Sequence, residues 1–418
     1  LAKNLDLWRL ERDSKKYHCE SDSWVLIFFV IASESKMDFD LTNDQTLLKE
    51  SVEKLMASRY GDFEKRKAYK KHPTGFDPAV WAEYAEAGLL ALPFSEEQGG
   101  FGGGAVETML VMEAFGTALA LEPYLYAVIL CGEILKGASP ALQAEFISGI
   151  VAGTKILALA QTERSSRADL HDVSLAARQD GDFYILEGEK SIVTGGGAAD
   201  AFIVSARTSG HRRDADGITL FLVDGKAPGL SRRTYPTQDG FQAAEISFGQ
   251  VRVPADRIIG TAGQGLALLQ KGVDVAIAGL CAEAVGCMDA VVKLTVEYLK
   301  TRKQFGVPIA SFQALQHRSV DMLVMAEQAR SMAVYAALMA DSGNATERHQ
   351  AMAAAKVQIG RSAKFIGQQA TQLHGGIGMT MEYKSGHYFK RLTMIEQQFG
   401  DADTHLRALA AAGAAIAA

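Results

Sequence analysis

The hydrophobic period of this chain changes twice along its length. Up to about Ile156, and again beyond Gly265, apolar residues recur at helical spacing. Between Ile156 and Ile258 they fall instead into short alternating or β-branched runs, at 156–160, 183–186, 201–204, 218–223 and 244–248. Turn signals such as Asp180-Gly181, Asp216-Gly217 and Pro228-Gly229 part these runs. The pattern predicts an α+β protein: an N-terminal α-helical domain (37–155), a middle antiparallel β-barrel or sandwich domain (156–258) and a C-terminal four-helix bundle (259–418). With 418 residues, each part is long enough to bury its own core.

In the first helical part, LTNDQTLLKESVEKLMASRY starts with a capping signal, Thr42 with Gln45 three residues on, and carries Leu47, Leu48, Val52, Leu55 and Met56 near one face. A second helix is predicted over 78–87, ending at Gly88. A glycine-rich loop (88–104) and a helix over 106–119 follow. Beyond Gly265, long helices with Ala-rich and Met-rich faces are predicted over 276–301, 314–341 and 349–373. Residues 1–36 differ from the rest. They hold mixed charges and one apolar run, WVLIFFVIA (24–32), too short for the ~20 residues a bilayer needs and followed by no AxA-like cleavage site. Since Met37 opens the helix-start pattern, the expectation is a leader that is disordered or an over-extended start.

Charge and cysteine content narrow the partners. Lys plus Arg number 43 against 49 Asp plus Glu, a net charge of −6, so no basic field exists to hold nucleic acid. No membrane association is expected. Cys19, Cys131, Cys281 and Cys287 form no CxxC pair and no zinc spacing, which fits packing residues in a reducing cytoplasm. His317, His387 and His405 show no metal spacing either.

Several strings occur in one order over nearly the whole chain. They are LTNDQ (41–45), GLLALPFSEEQGGFGG (88–103), GEKSIVTGG (188–196), VRVPADRIIG (251–260), YLKTRKQFGVPIASFQALQHRSVDM (298–322) and QLHGGIGM (372–379). Together they resemble the acyl-CoA dehydrogenase family from Met37 to about Ala410, and a lone GGxG would carry far less weight. The resemblance implies FAD as cofactor, an acyl-CoA substrate, an electron-transferring flavoprotein as electron acceptor, and tetrameric assembly. α,β-Dehydrogenation of an acyl thioester needs a carboxylate at the α proton, donors to the thioester carbonyl and a flavin to accept hydride from the β carbon. An anionic pyrophosphate in turn needs an arginine and unobstructed backbone N–H groups. By the resemblance, Arg302, Phe305, Gln313, Gln372, Gly375 and Gly376 grip the adenosine and pyrophosphate half of a FAD held mainly by a neighbouring subunit. Thr162 and Thr194 belong to the half held by the chain itself. Taken singly, Arg302 is also readable as a helix-end charge, the two glycines as a helix stop, and His374 as a packing residue rather than a base.

The chain departs from the family elsewhere. Where the family has TEPxxGSD, this sequence has TERSSRAD (162–169), with Arg164, Arg167 and Ala168 at the Pro, Gly and Ser positions. The tryptophan commonly laid against the flavin ring is Ile192. The two positions that carry the family's catalytic glutamate are Phe399 and Ala276. Asp401, Asp403 and, more weakly, Glu283 are the nearest candidates for a displaced base, and solvated turn residues are the plainer reading of the first two. The catalytic residue is therefore left open. An intact lending half beside an altered receiving half resembles, in particular, the small subunit of two-component members such as pimeloyl-CoA dehydrogenases. Such a subunit pairs with a paralogous catalytic chain. The alternative is a homotetramer that uses a displaced acid.

Overall fold

The computed structural model describes residues 41–413; the expected leader, Cys19 and Met37 lie outside the described residues. By its contacts the chain parts into a segment ending at Thr46 and a body that starts at Leu47. In the first segment the capping box forms as expected. The Gln45 N–H donates to Thr42 Oγ1 at 3.2 Å, and the Gln45 side chain accepts from the Thr42 N–H at 3.0 Å.

The N-terminal helical part comprises α1 (Asn43–Tyr60), α2 (Phe63–Tyr69), α3 (Pro78–Glu86), α4 (Ala105–Ala118), α5 (Cys131–Leu135) and α6 (Pro140–Val151). Asp62, Asp77 and Ser139 cap α2, α3 and α6 by accepting first-turn N–H groups, and proline occupies the first position of α3 and α6. Helices α2, α5 and α6 were not among the expected ones, and Leu125–Leu130 winds as a fully buried π-helix directly before α5.

The middle part is one eight-stranded sheet: β1 (Leu157–Ala160), β2 (Ala176–Asp180), β3 (Phe183–Thr194), β4 (Ala201–Arg207), β5 (Ile218–Asp224), β6 (Leu230–Pro236), β7 (Gln242–Pro254) and β8 (Ile258–Ile259). The order is β6-β7-β3-β2-β4-β5-β8, with β1 on β4. The antiparallel expectation holds for most pairs and is corrected at β4, which lies parallel to both β1, with Leu157 beside Ala201, and β2, with Ala176 beside Arg207. Strands β2 and β6 escaped the sequence because AARQD and LSRRTYP are mostly polar and exposed, so they carry no apolar alternation.

The last part holds α7 (Leu266–Thr301), a short hairpin of β9 (Lys303–Gln304) and β10 (Val307–Pro308), α8 (Gln313–Ala340), α9 (Ala345–His374), α10 (Lys384–Gln397) and α11 (Ala402–Ala411). Helix α7 is long and apolar enough to cross a membrane, but most of its apolar stretch is buried inside the body, where it packs against α4, α8, α9 and α10. Close approach depends on small residues. A Cβ at Gly286 would collide with the Glu113 carbonyl at 1.9 Å, and one at Gly116 with the Glu283 carbonyl at 2.0 Å, so α4 and α7 touch backbone to backbone. Cys131, Cys281 and Cys287 are buried and free, as expected of packing residues.

Candidate functional site

Five of the six residues of the expected lending half lie at two chain reversals. Helix α7 stops at Arg302, whose backbone is extended, and the chain folds through the β9–β10 hairpin. Its tip, Phe305 and Gly306, has positive φ at both residues (54° and 81°). The Ile309 N–H returns to the Arg302 carbonyl at 2.8 Å, and Gln313 opens α8. Arg302, Phe305 and Gln313 thus share one knuckle. Phe305 is 92% exposed, and among the described residues its ring pairs with Phe312, edge to face at 6.1 Å. The Arg302 guanidinium and the Gln313 amide are exposed and make no hydrogen bond or ion pair among the described residues.

Helix α9 ends at His374, and Gly375 turns the chain with φ 61° and ψ −139°, a conformation that favours glycine. A Cβ at Gly375 or Gly376 would meet nothing within 4 Å. The bare backbone is therefore open to approach from outside, and Gln372, Ile377 and Met379 are exposed around it. The two reversals meet through aromatic rings: Tyr298, one turn before Arg302, lies 4.7 Å from His374. An unpaired arginine, exposed amides and an unobstructed glycine backbone fit the dinucleotide tail of FAD.

Thr162 lies in the loop just after β1 and Thr194 at the end of β3. The Ser191 N–H donates to the Thr162 carbonyl at 2.8 Å, and Thr194 ends β3 opposite Ala243. Ile192 stands between them at a bulge, 55% exposed, with φ 54°. That conformation is rare for a β-branched residue and costs of order 1–3 kcal/mol. Within one chain, no hydrogen bond, ion pair or ring contact among the described residues joins Thr162 or Thr194 to the Arg302 or Gln372 segments.

The altered loop after Thr162 is tied to its own domain. Glu163 turns inward to Lys190 Nζ at 2.8 Å and accepts the backbone N–H groups of Ser174 and Leu175 at 3.0 Å. Burial pushes the Glu163 carboxyl up, but Lys190 and these bonds outweigh it and hold the group below its ordinary range. Burial draws Lys190 down to about 8. Arg167 keeps a positive φ of 50° at the family's glycine position. Across from the loop, a Cβ on Gly400 would lie 3.4 Å from Ala168 Cβ, so the segment after α10 is seated directly upon it.

The three candidate acids are placed as follows. Both oxygens of Glu283 are taken by Arg391, from Nε at 2.5 Å and Nη2 at 2.6 Å, and Arg391 Nη1 reaches Asp239 at 2.7 Å. All three are buried, with the Arg391 guanidinium over the Phe241 ring at 4.3 Å. Arg66 adds a bond from Nη2 to the Asp239 carbonyl at 2.8 Å, so this cluster joins α2, the β6–β7 loop, α7 and α10. Asp401 caps α11, accepting the Thr404 N–H at 2.8 Å and its hydroxyl at 2.5 Å, and these bonds lower its pKa. Asp403 is exposed on the first turn of α11.

At the two family base positions, Ala276 is fully buried and Phe399 packs against the core with φ 57°. Beside Phe399, Gln398 donates to the Tyr126 hydroxyl at 2.6 Å. Burial pushes that phenol up to about 12, with Arg391 opposing. Sequence reasoning missed Arg391, Asp239, Arg66 and Tyr126. Only Arg391 left a signal, since Tyr388, Leu392 and Ile395 define an apolar face of α10 on which residue 391 falls. No group of three or more potential metal ligands exists among the described residues.

Comparison with known proteins places this geometry. Family models for the N-terminal, middle and C-terminal domains of acyl-CoA dehydrogenases match residues 42–154, 158–251 and 263–414. The chain is 31% identical over 363 residues to the probable acyl-CoA dehydrogenase YngJ of Bacillus subtilis, covering 83% of this chain and 92% of that protein. Among solved structures it is similar to a Tcur3481–Tcur3483 steroid ACAD variant (28% identity, TM-score 0.80, 89% and 99% of the two chains). It is also similar to the ChsE4–ChsE5 complex of Mycobacterium tuberculosis (26% identity, TM-score 0.80, 91% and 100%). With all three domains matched in order, the chain belongs to the acyl-CoA dehydrogenase family of FAD-dependent oxidoreductases.

Proposed function

We propose that this chain is the subunit of a two-component acyl-CoA dehydrogenase that lends half of a FAD site and contributes no base. The observation that carries the proposal is the engagement of Glu283 by Arg391, together with Ala276 and Phe399 at the two base positions. Proton abstraction needs a free carboxylate beside the α carbon, and two of the three nearby acids already spend their oxygens on the fold. Two clefts in the body, one of about 350 Å³ beside Tyr60 and a narrower one beside Phe94, are lined by none of Ala276, Phe399, Thr162 or Thr194.

Arg302 would pair with the pyrophosphate, Gly375 and Gly376 would let it reach the backbone, and Gln313, Gln372 and Phe305 would line the adenosine side. Thr162 and Thr194 would border any flavin seated on the chain's own sheet. Bound FAD supplies the acceptor for the β hydrogen. The partner is a paralogous chain with its own glutamate, and the pairing of unlike names in two similar structures is in keeping with this. The substrate class would be that of pimeloyl-CoA dehydrogenases, dicarboxylyl-CoA thioesters. An electron-transferring flavoprotein would take the electrons, and the free buried cysteines suit a cytoplasmic setting. The homotetramer alternative needs a free acid, and Asp403 is the one of the three without a partner among the described residues.

Flavin content tests the proposal. The chain produced alone should be colourless or weakly yellow, and co-production with the paralogous chain should give one FAD per pair of unlike chains. Fully yellow protein from this chain alone, bleached by acyl-CoA, would overturn it.

A further inference from the structure

We infer that His374 is a positioning residue for the flavin cradle: packed between Tyr298 and Tyr383, it holds the Arg302 knuckle and the turn at Gly375 and Gly376 in one register. This deepens the reading above and rests on it. The ring centroid of His374 lies 4.7 Å from that of Tyr298 and 5.1 Å from that of Tyr383, and the two tyrosines are 6.3 Å apart. Each ring sits next to a segment that matters. The Tyr298 carbonyl accepts the Arg302 N–H at 2.8 Å, His374 directly precedes Gly375, and Tyr383 directly precedes α10. The trio therefore pins together the ends of α7 and α9 and the start of α10. Ring pairs at these separations prefer defined mutual angles, so they set orientation as well as distance.

The histidine is turned into its own helix and closed off from solvent. Nδ1 lies 2.8 Å from the Ala370 carbonyl, an acceptor, so Nδ1 carries the proton and Nε2 a lone pair. Nε2 is buried and has no hydrogen-bond partner among the described residues. The residue is 2% exposed, and burial lowers its pKa, which keeps the ring neutral. A buried polar atom left unpaired asks for a reason. Here the Nδ1–H adds a bond to the last turn of α9, and the ring face supplies the stack. Displacing a cradle residue by even 1 Å weakens a positioned contact sharply.

The test uses the assembled complex with its paralogous chain, stripped of flavin and titrated with FAD, with quenching of FAD fluorescence as readout. His374→Ala should weaken FAD binding about tenfold, the scale of one lost aromatic pair, with far-ultraviolet circular dichroism unchanged. His374→Phe should stay within about threefold of the parent, because it keeps the ring and removes the orphaned nitrogen. Tyr298→Ala combined with His374→Ala should weaken binding no more than the worse single change, since both break one contact. Binding within twofold for His374→Ala, a His374→Phe as weak as His374→Ala, or additive losses in the double variant would each overturn the inference. Arg302→Ala separates the two levels. If it also leaves FAD binding unchanged, the lending-half reading itself fails; if it weakens binding while the His374 variants do not, only the positioning role fails.

Discussion

Arg391 grips Glu283 through two parallel N–H···O bonds of 2.5 and 2.6 Å inside the body, with Asp239 on the third nitrogen. A guanidinium fork on a carboxylate is among the strongest ion-pair geometries a protein offers, and here it binds α7 to α10 and both to the β6–β7 loop. Replacing either partner alone strands a buried charge, which costs about 3–5 kcal/mol. Glu283→Ala should therefore lower the urea midpoint sharply. FAD affinity of the complex, measured well below that midpoint, should not change.

Asp401 behaves as a helix cap in the same account. Asp401→Asn keeps an acceptor for the Thr404 N–H and should leave both turnover and stability near the parent values. Asp401→Ala should cost about 1 kcal/mol in denaturant titration, the ordinary value of a lost N-cap. Tenfold loss of turnover in Asp401→Asn would mark it instead as the displaced base.

Glu122 should make stability fall as pH rises. It is buried, accepts hydrogen bonds from the hydroxyls of Tyr60 (2.7 and 2.8 Å) and Tyr84 (2.9 Å), and burial pushes its pKa up to about 7 despite them. A raised carboxyl binds its proton more tightly folded than unfolded. Its contribution is complete below about pH 4.5 and is lost as pH climbs through 7, about 3 kcal/mol in all. Glu122→Gln should flatten that decline and be the more stable form at pH 8, read as unfolding free energy against pH.

The Arg302 guanidinium has no hydrogen-bond or ion-pair partner among the described residues, so its removal should not touch stability. Arg302→Ala should leave the melting temperature within a degree or so while weakening FAD retention by the complex roughly 10- to 100-fold, the range for a charge-assisted hydrogen bond. Arg302→Lys should recover part of this, since a lysine keeps the charge and loses the fork.

The fold was largely legible in the sequence because its two periods map onto two kinds of burial. Helices α7, α8 and α9 each bury an Ala-rich face, and β4 and β5 are buried along nearly their whole length, so both left strong apolar patterns. The polar strands β2 and β6 left none, and neither the parallel pairing of β1 with β4 nor the π winding of the apolar LYAVIL could be read from local pattern, because both depend on neighbours. Arg302, Gln313, Gln372 and the two glycines were named by the resemblance of TRKQFGVPIASFQ and QLHGGIGM to the family; the structure adds that all five are exposed. The Arg391 cluster was the reverse case. Its members are separated by up to 325 positions, from Arg66 to Arg391, and a charged residue in SGHYFKRLTM reads as solvated until its partners are in place.

The most direct measurement is steady-state acyl-CoA oxidation by the co-produced complex in which carboxylates are neutralised one chain at a time. The account predicts that changing the paralogous chain's base glutamate to glutamine abolishes turnover, while Asp401→Asn and Asp403→Asn in this chain leave it near the parent rate. Turnover that survives the partner's change and disappears with Asp401→Asn or Asp403→Asn would contradict it.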